Sequence, residues 1–142
     1  MGNKQSTTRS KLKPSDHVCG PRLGGLYYHH GIYVGGDMVI HLMAPADKAP
    51  GKKVPAKKGN SSSPCQKCGY NPDTDDGIIK TCLDCFLSES ELYIYQYSCA
   101  CNSPHEVIRI ATEFLEGKRH FGAYDSFFNN CKDFAYYCKT KK

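Results

Sequence analysis

The apolar and polar positions sort the chain into strand-like and helix-like stretches parted by polar spans. Residues 26–34 and 38–43 are apolar and rich in β-branched and aromatic side chains, with Gly35-Gly36-Asp37 between them. Such runs around a glycine-containing turn predict a β-hairpin, because glycine takes the positive φ that a tight reversal needs. Residues 44–77 change character. They hold five of the eight prolines, a lysine cluster, the run Asn60-Ser61-Ser62-Ser63 and the acidic run Asp73-Thr74-Asp75-Asp76. This composition reads as an insert or long loop rather than core. Strand-like patterns resume in "GIIKTCLDC" and in "ELYIYQYSC", where Leu92 and Ile94 alternate with Tyr93, Tyr95 and Tyr97.

Two helical patterns follow. Ser103-Pro104-His105-Glu106 reads as a capping box with proline at the first helical position. Val107, Ile108, Ala111, Phe114 and Leu115 then recur at helical spacing, and Gly117 is a natural stop. Near the end, Asn129 or Asn130 can cap a helix from about residue 131, with Phe134, Ala135 and Cys138 on one face. Strands followed by segregated helices predict an α+β domain with an antiparallel sheet packed by helices. The polar residues 1–13 read as a flexible basic arm. The domain is expected over 14–142, with the Pro/Lys-rich and Cys-rich insert at about 44–86.

Composition narrows the setting. A chain of 142 residues fits one domain and can bury a core without disulfide staples. It contains no run of 18 apolar residues, so no transmembrane helix is expected. The polar start lacks the apolar stretch of a secretory signal, which predicts a reducing compartment where the nine cysteines are thiols or metal ligands. The net charge of +5 is grouped: Lys4, Arg9, Lys11 and Lys13; Lys48, Lys52, Lys53, Lys57 and Lys58; Lys139, Lys141 and Lys142. Such clusters suit an anionic membrane surface. No basic helix or base-stacking motif speaks for nucleic acid. "MGNKQS" places glycine second and serine sixth, the N-myristoylation pattern, which marks Gly2 for lipidation. One acyl chain binds membranes marginally, and the basic cluster beside it is the usual second signal. The expected location is cytoplasmic and peripheral to membranes.

The candidate chemistry lies at the two ends. The hairpin carries His29, His30 and His41, and Cys131 falls in the first turn of the terminal helix. A helix N-terminus stabilises a thiolate and lowers the thiol pKa, and its N–H groups can hold an oxyanion. The hairpin loop decides which histidine accompanies His41. A three-residue loop puts Gly31 opposite His41, so that His29 and His41 share a face; a two-residue loop puts His30 there instead. Both lengths fit the sequence. Separately, Cys65-x-x-Cys68 and Cys82-x-x-Cys85 are thirteen residues apart, a spacing that suits four thiolates around zinc. Four thiolates leave no open position, so that zinc would be structural, with no cofactor in catalysis. Free thiols or a redox pair are the alternatives. Cys19, Cys99 and Cys101 have no assigned role.

"HHGIYVGGDMVIHL" together with "NNCKDFAYYCKT" resembles the LRAT-domain family, named for lecithin retinol acyltransferase. The resemblance covers roughly residues 12–43 and 78–140 and is nearest to plant-type members, which share the cysteine-rich insert and the "CLDCFL" string. It implies a permuted, papain-like (NlpC-type) fold. It also implies Cys131 as nucleophile, His29 as base and His41 as the residue that fixes the tautomer of His29. The implied substrate is a glycerophospholipid, whose acyl chain passes to the cysteine as a thioester and then to water, an amine or an alcohol. His30 falls where the family usually has an aromatic residue. "NCKDF" replaces the Asn-Cys-Glu-His-Phe of many animal members, and a hydrophobic C-terminal anchor like that of those members is not expected. A cysteine amidase or peptidase, and a non-catalytic membrane-tethered adaptor with a zinc module, are the competing functions.

Overall fold

The computed structural model describes residues 2–44, 64–121 and 130–141. The lysine cluster Lys48 to Lys58 and the alternative cap Asn129 lie outside them. Six strands, β1 (Gly2–Ser6), β2 (His17–Arg22), β3 (Tyr27–Gly35), β4 (Met38–Met43), β5 (Gly77–Cys82) and β6 (Tyr93–Tyr97), form one sheet in the order β1-β6-β2-β3-β4-β5. All the pairings are antiparallel. With them stand α1 (Leu83–Leu87), α2 (Pro104–Leu115) and α3 (Cys131–Thr140). The fold is α+β.

The register sorts the side chains into two faces. Ile32 lies opposite Ile40 and Gly31 opposite His41. Side chains alternate along a strand. Ile32, Ile40 and Leu42 therefore share one face, and His29, Gly31, Val39 and His41 the other. Helices α2 and α3 cover the first face through Val107, Ile110, Ala111, Phe114, Phe134 and Ala135. Helix α1 covers the second, where Leu83, Phe86 and Leu87 meet Val18, Val39 and Leu92. Apolar layers on both sides explain why β3 and β4 read as almost unbroken apolar runs. Burying each such side chain contributes about 1.5–3 kcal/mol.

Helix ends follow from their caps. Ser103 Oγ accepts from the Glu106 N–H at 3.2 Å, and Pro104 opens α2. Gly117, at φ +80°, ends it. Asn130, not Asn129, caps α3: its Oδ1 accepts from the N–H groups of Lys132 and Asp133, both at 3.1 Å. The Asp133 carboxylate accepts in return from the Asn130 N–H at 3.3 Å, completing a capping box.

Two stretches differ from the sequence reading. Residues 2–6 are not a loose arm but strand β1, paired from Gly2–Tyr97 to Ser6–Tyr93. An edge strand needs main-chain hydrogen bonds on one side only, so its polar residues leave no apolar signal. Residues 77–86 are not insert. β5 pairs along β4 from Met43–Gly77 to Met38–Cys82, and α1 buries Leu83, Phe86 and Leu87.

Candidate active site

The hairpin resolves the parity of its histidines by combining both loop readings. Gly36 and Asp37, at φ +62° and +67°, form a two-residue turn that closes on Gly35 and Met38. A bulge between Tyr33 and Gly35 then shifts the register by one residue, which restores Gly31 opposite His41. His29 and His41 thus share a face. His29 Nε2 lies 2.9 Å from His41 Nδ1, and His41 Nε2 lies 2.9 Å from Thr81 Oγ1. Thr81 Oγ1 donates to the Cys82 carbonyl at 3.1 Å. A hydroxyl has one proton. With that proton on the Cys82 carbonyl, Thr81 accepts from His41, whose proton is therefore on Nε2. His41 Nδ1 then accepts from His29 Nε2–H, and the lone pair of His29 rests on Nδ1. This tautomer chain is assigned from the hydrogen-bond network.

The pair is held in an apolar seat. Phe86 lies 5.0 Å from both imidazole centroids, tilted against His29 and edge-on to His41. Gly31 lets these groups close in: a Cβ there would stand 2.7 Å from Val39 Cγ1 and 2.9 Å from both His41 Cβ and Phe86 Cε1. Burial pushes the His41 pKa down to about 3, with the Arg22 charge adding to it. Burial likewise holds His29 well below its usual value, aided by His41, Arg22 and His30. Both rings are neutral at physiological pH.

Cys131 approaches from the opposite layer. The body of α3 packs on Ile32 and Ile40, yet the Cys131 sulfur reaches the backbone of β3. The His30 N–H donates to Sγ at 3.4 Å, and the Tyr28 carbonyl lies 3.9 Å from it. In an extended chain these two groups point to the same strand edge, one on each side of residue 29. The sulfur therefore sits at the edge of β3, just beyond the Gly31–His41 pair, beside the residue that carries the His29 imidazole. The acidic thiol expected at a helix N-terminus is not what results. Burial pushes Cys131 up to about 11, against the pull of the His30, Cys131 and Lys132 N–H groups and of Arg22. Only 8% of the residue is exposed, and that desolvation outweighs the helix end.

A two-histidine hairpin and a cysteine at a capped helix start are thus brought to one strand. The family model for lecithin retinol acyltransferase (LRAT) matches residues 10–142. The chain belongs to the LRAT family. It is also similar to Protein LEAD-SENSITIVE 1 of Arabidopsis thaliana, at 36% identity over 154 residues. That match takes in 93% of this chain and 59% of the relative, so the chain spans about three-fifths of the relative's length.

Two departures of this LRAT domain from the family pattern find local reasons. Asp133, in "NCKDF", is the carboxylate of the α3 capping box. His30, at the usually aromatic position, turns to the α3 face and meets His17, with His30 Nδ1 2.8 Å from His17 Nε2. His17 Nδ1 is in turn 2.7 Å from the Tyr97 hydroxyl. The sequence offered no sign of His17 or of Thr81. Arg22 was missed too. Its guanidinium donates to the Phe86 carbonyl, while its buried Nε has no hydrogen-bond partner among the described residues. With His41, Met43 and Tyr70 it borders a recess of about 400 Å³. The two cysteine pairs come together across the insert boundary: Cys65 Sγ is 4.0 Å from Cys82 Sγ, and Cys68 Sγ is 3.8 Å from Cys85 Sγ.

Proposed function

We propose that this protein is a cysteine acyltransferase or phospholipase acting on glycerophospholipids through a thioester at Cys131. The hydrogen-bonded chain His29–His41–Thr81, with its basic nitrogen left on His29, and the seat of the Cys131 sulfur on the backbone groups that flank residue 29 together support the reading. In the proposed cycle the Cys131 thiol gives its proton to His29 Nδ1 as the sulfur attacks the ester carbonyl. The oxyanion is received by backbone N–H groups at the start of α3 and on β3. His29 then passes the proton to the glycerol oxygen, and lysophospholipid leaves. Water, an amine or an alcohol, deprotonated by His29, cleaves the thioester and restores the thiol. His41 keeps the His29 tautomer throughout.

Two surface features favour a lipid over a peptide substrate. Leu23 and Leu26 are 52% and 76% exposed in the turn joining Arg22 to Tyr27. That turn is two residues from Tyr28, whose carbonyl faces the sulfur, so apolar side chains suited to a bilayer flank the site. Arg22 supplies a cation beside the recess for a phosphate headgroup. Among the described residues no helix is long and apolar enough to cross a membrane. Contact with an anionic cytoplasmic surface is proposed to come instead from a myristoyl group on Gly2, with Lys4, Lys11 and Lys13 as the basic complement. Arg9 is already engaged by Asp37 and Asp84.

The test is lysophospholipid release from mixed phosphatidylcholine–phosphatidylserine vesicles. Wild type is expected to release it, and Cys131→Ala and His29→Gln to lose release by at least about a hundredfold. Equal release by all three, or none from folded wild type, overturns the reading; cleavage of amide substrates alone would point to the peptidase alternative.

A further inference from the structure

The two cysteine pairs, one in the insert and one at the β5–α1 corner, form a cluster apart from the lipid chemistry. We propose that Cys65, Cys68, Cys82 and Cys85 bind one Zn²⁺ as a closed four-thiolate site that positions Thr81 and Phe86 behind the His29–His41 pair.

The four sulfurs lie within 4.8 Å of one another. Tetrahedral zinc with bonds of about 2.3 Å places its sulfurs roughly 3.8 Å apart. The cross-pair separations of 4.0 and 3.8 Å match that edge. They are far too long for disulfides, and all nine cysteines are free thiols. The first pair sits in a tight knuckle. The Cys65 N–H bonds the Tyr70 carbonyl at 2.8 Å, and the Gly69 N–H bonds the Cys65 carbonyl at 2.7 Å, with Gly69 at φ +81°. The Lys67 N–H points at Cys65 Sγ from 3.3 Å, the arrangement that stabilises a thiolate. Zinc with four thiolates carries a net charge of −2. Lys67 stands over the knuckle, its Nζ shared between Asp84 at 2.7 Å and Asp37 at 3.3 Å.

The second pair explains what the metal would do. Cys82 follows Thr81 at the end of β5, and Cys85 precedes Phe86 in α1. Helix α1 has five residues, too few to hold itself. The described residues 64–76 form neither strand nor helix. A metal tying this stretch to the β5–α1 corner would fix both the hydroxyl that orients His41 and the ring seated on the two imidazoles. Binding releases the thiol protons as the four sulfurs coordinate as thiolates.

The experiment uses the full chain. Metal analysis of the purified protein is expected to give one zinc per chain. Cobalt exchange should give the intense absorption of tetrahedral thiolate coordination. Cys65→Ser/Cys68→Ser is expected to drop metal below about a tenth of an equivalent, while Cys99→Ser/Cys101→Ser keeps it. Nitrogen-15 spectra of the histidines then test the coupling. The single-tautomer signal of His41 should be present with metal and averaged after chelation, with the strand circular dichroism retained. A chain purified without metal and unchanged in melting by added Zn²⁺ overturns the site, as does zinc retained in the Cys65/Cys68 variant. An unchanged His41 signal after chelation overturns the positioning role. None of these readouts depends on lipid turnover, so their failure is separate from failure of the acyl-transfer reading.

Discussion

Thr81 has a single hydroxyl proton, and its place on the Cys82 carbonyl settles which nitrogen of His29 is basic. Thr81→Val keeps the volume but removes the acceptor, so His41 is free to take the other tautomer. Turnover is expected to fall about ten- to hundredfold with KM little changed, and Thr81→Ser to restore most of it. Equal turnover in Val and wild type would remove Thr81 from the site. The Cys131 thiol makes a second claim. Buried, and raised to about 11, it rests as a neutral thiol. Alkylation of Cys131 by iodoacetamide, followed by peptide mass analysis, should therefore climb roughly tenfold per pH unit between pH 7 and 9. A plateau across that range would reveal a preformed thiolate–imidazolium pair instead. At this scale motif and chemistry coincide at Cys131, His29 and His41, and the structure pairs the two imidazoles and sets the sulfur on the backbone of the same strand. Thr81 and Phe86 were not legible in the sequence, because their place behind the histidines depends on β5 pairing with β4 from the far side of the insert. The thiol pKa was misjudged because helix position is visible in sequence and burial is not.

At the scale of elements, caps and bulges do the positioning. Asn130 satisfies two N–H groups of the α3 start, those of Lys132 and Asp133, and Cys131 is the first residue of the helix it caps. Asn130→Ala is expected to cost about 1 kcal/mol in urea unfolding. No measurable change would mean that α3 starts elsewhere. The helices α2 and α3, the hairpin and strands β5 and β6 were legible, since each carries a period or a turn signal. Loop length could not choose between His29 and His30, because the bulge at Val34 lies inside an ordinary apolar run. Strand β1 was hidden for the opposite reason. Its pairing with β6 is main-chain work, and residues 2–6 are polar.

For the whole molecule, four buried histidines set a limit in acid. His17, His29, His30 and His41 all hold folded pKa values below 6.5, each chiefly through burial. The unfolded chain therefore takes up these protons first as pH falls. Stability is complete above about 6.5 and is lost on acidification, by about 1.4 kcal/mol per pH unit for each imidazole that must stay neutral. Urea midpoints should drop between pH 7.5 and 5.5, and His17→Phe/His30→Phe should flatten the drop. A wild-type chain as stable at pH 5.5 as at 7.5 would contradict these burials. The same desolvation that costs acid stability keeps the histidines neutral, which leaves His29 a lone pair to accept a proton while weakening it as a base.

Intact-protein mass spectrometry after incubation with phosphatidylcholine vesicles tests the central claim most directly. A thioester at Cys131 predicts an acyl-sized mass gain on wild type, removed by hydroxylamine and absent from Cys131→Ala. A folded wild-type protein that gains no acyl mass and releases no lysophospholipid, or an adduct that persists in Cys131→Ala, would contradict it.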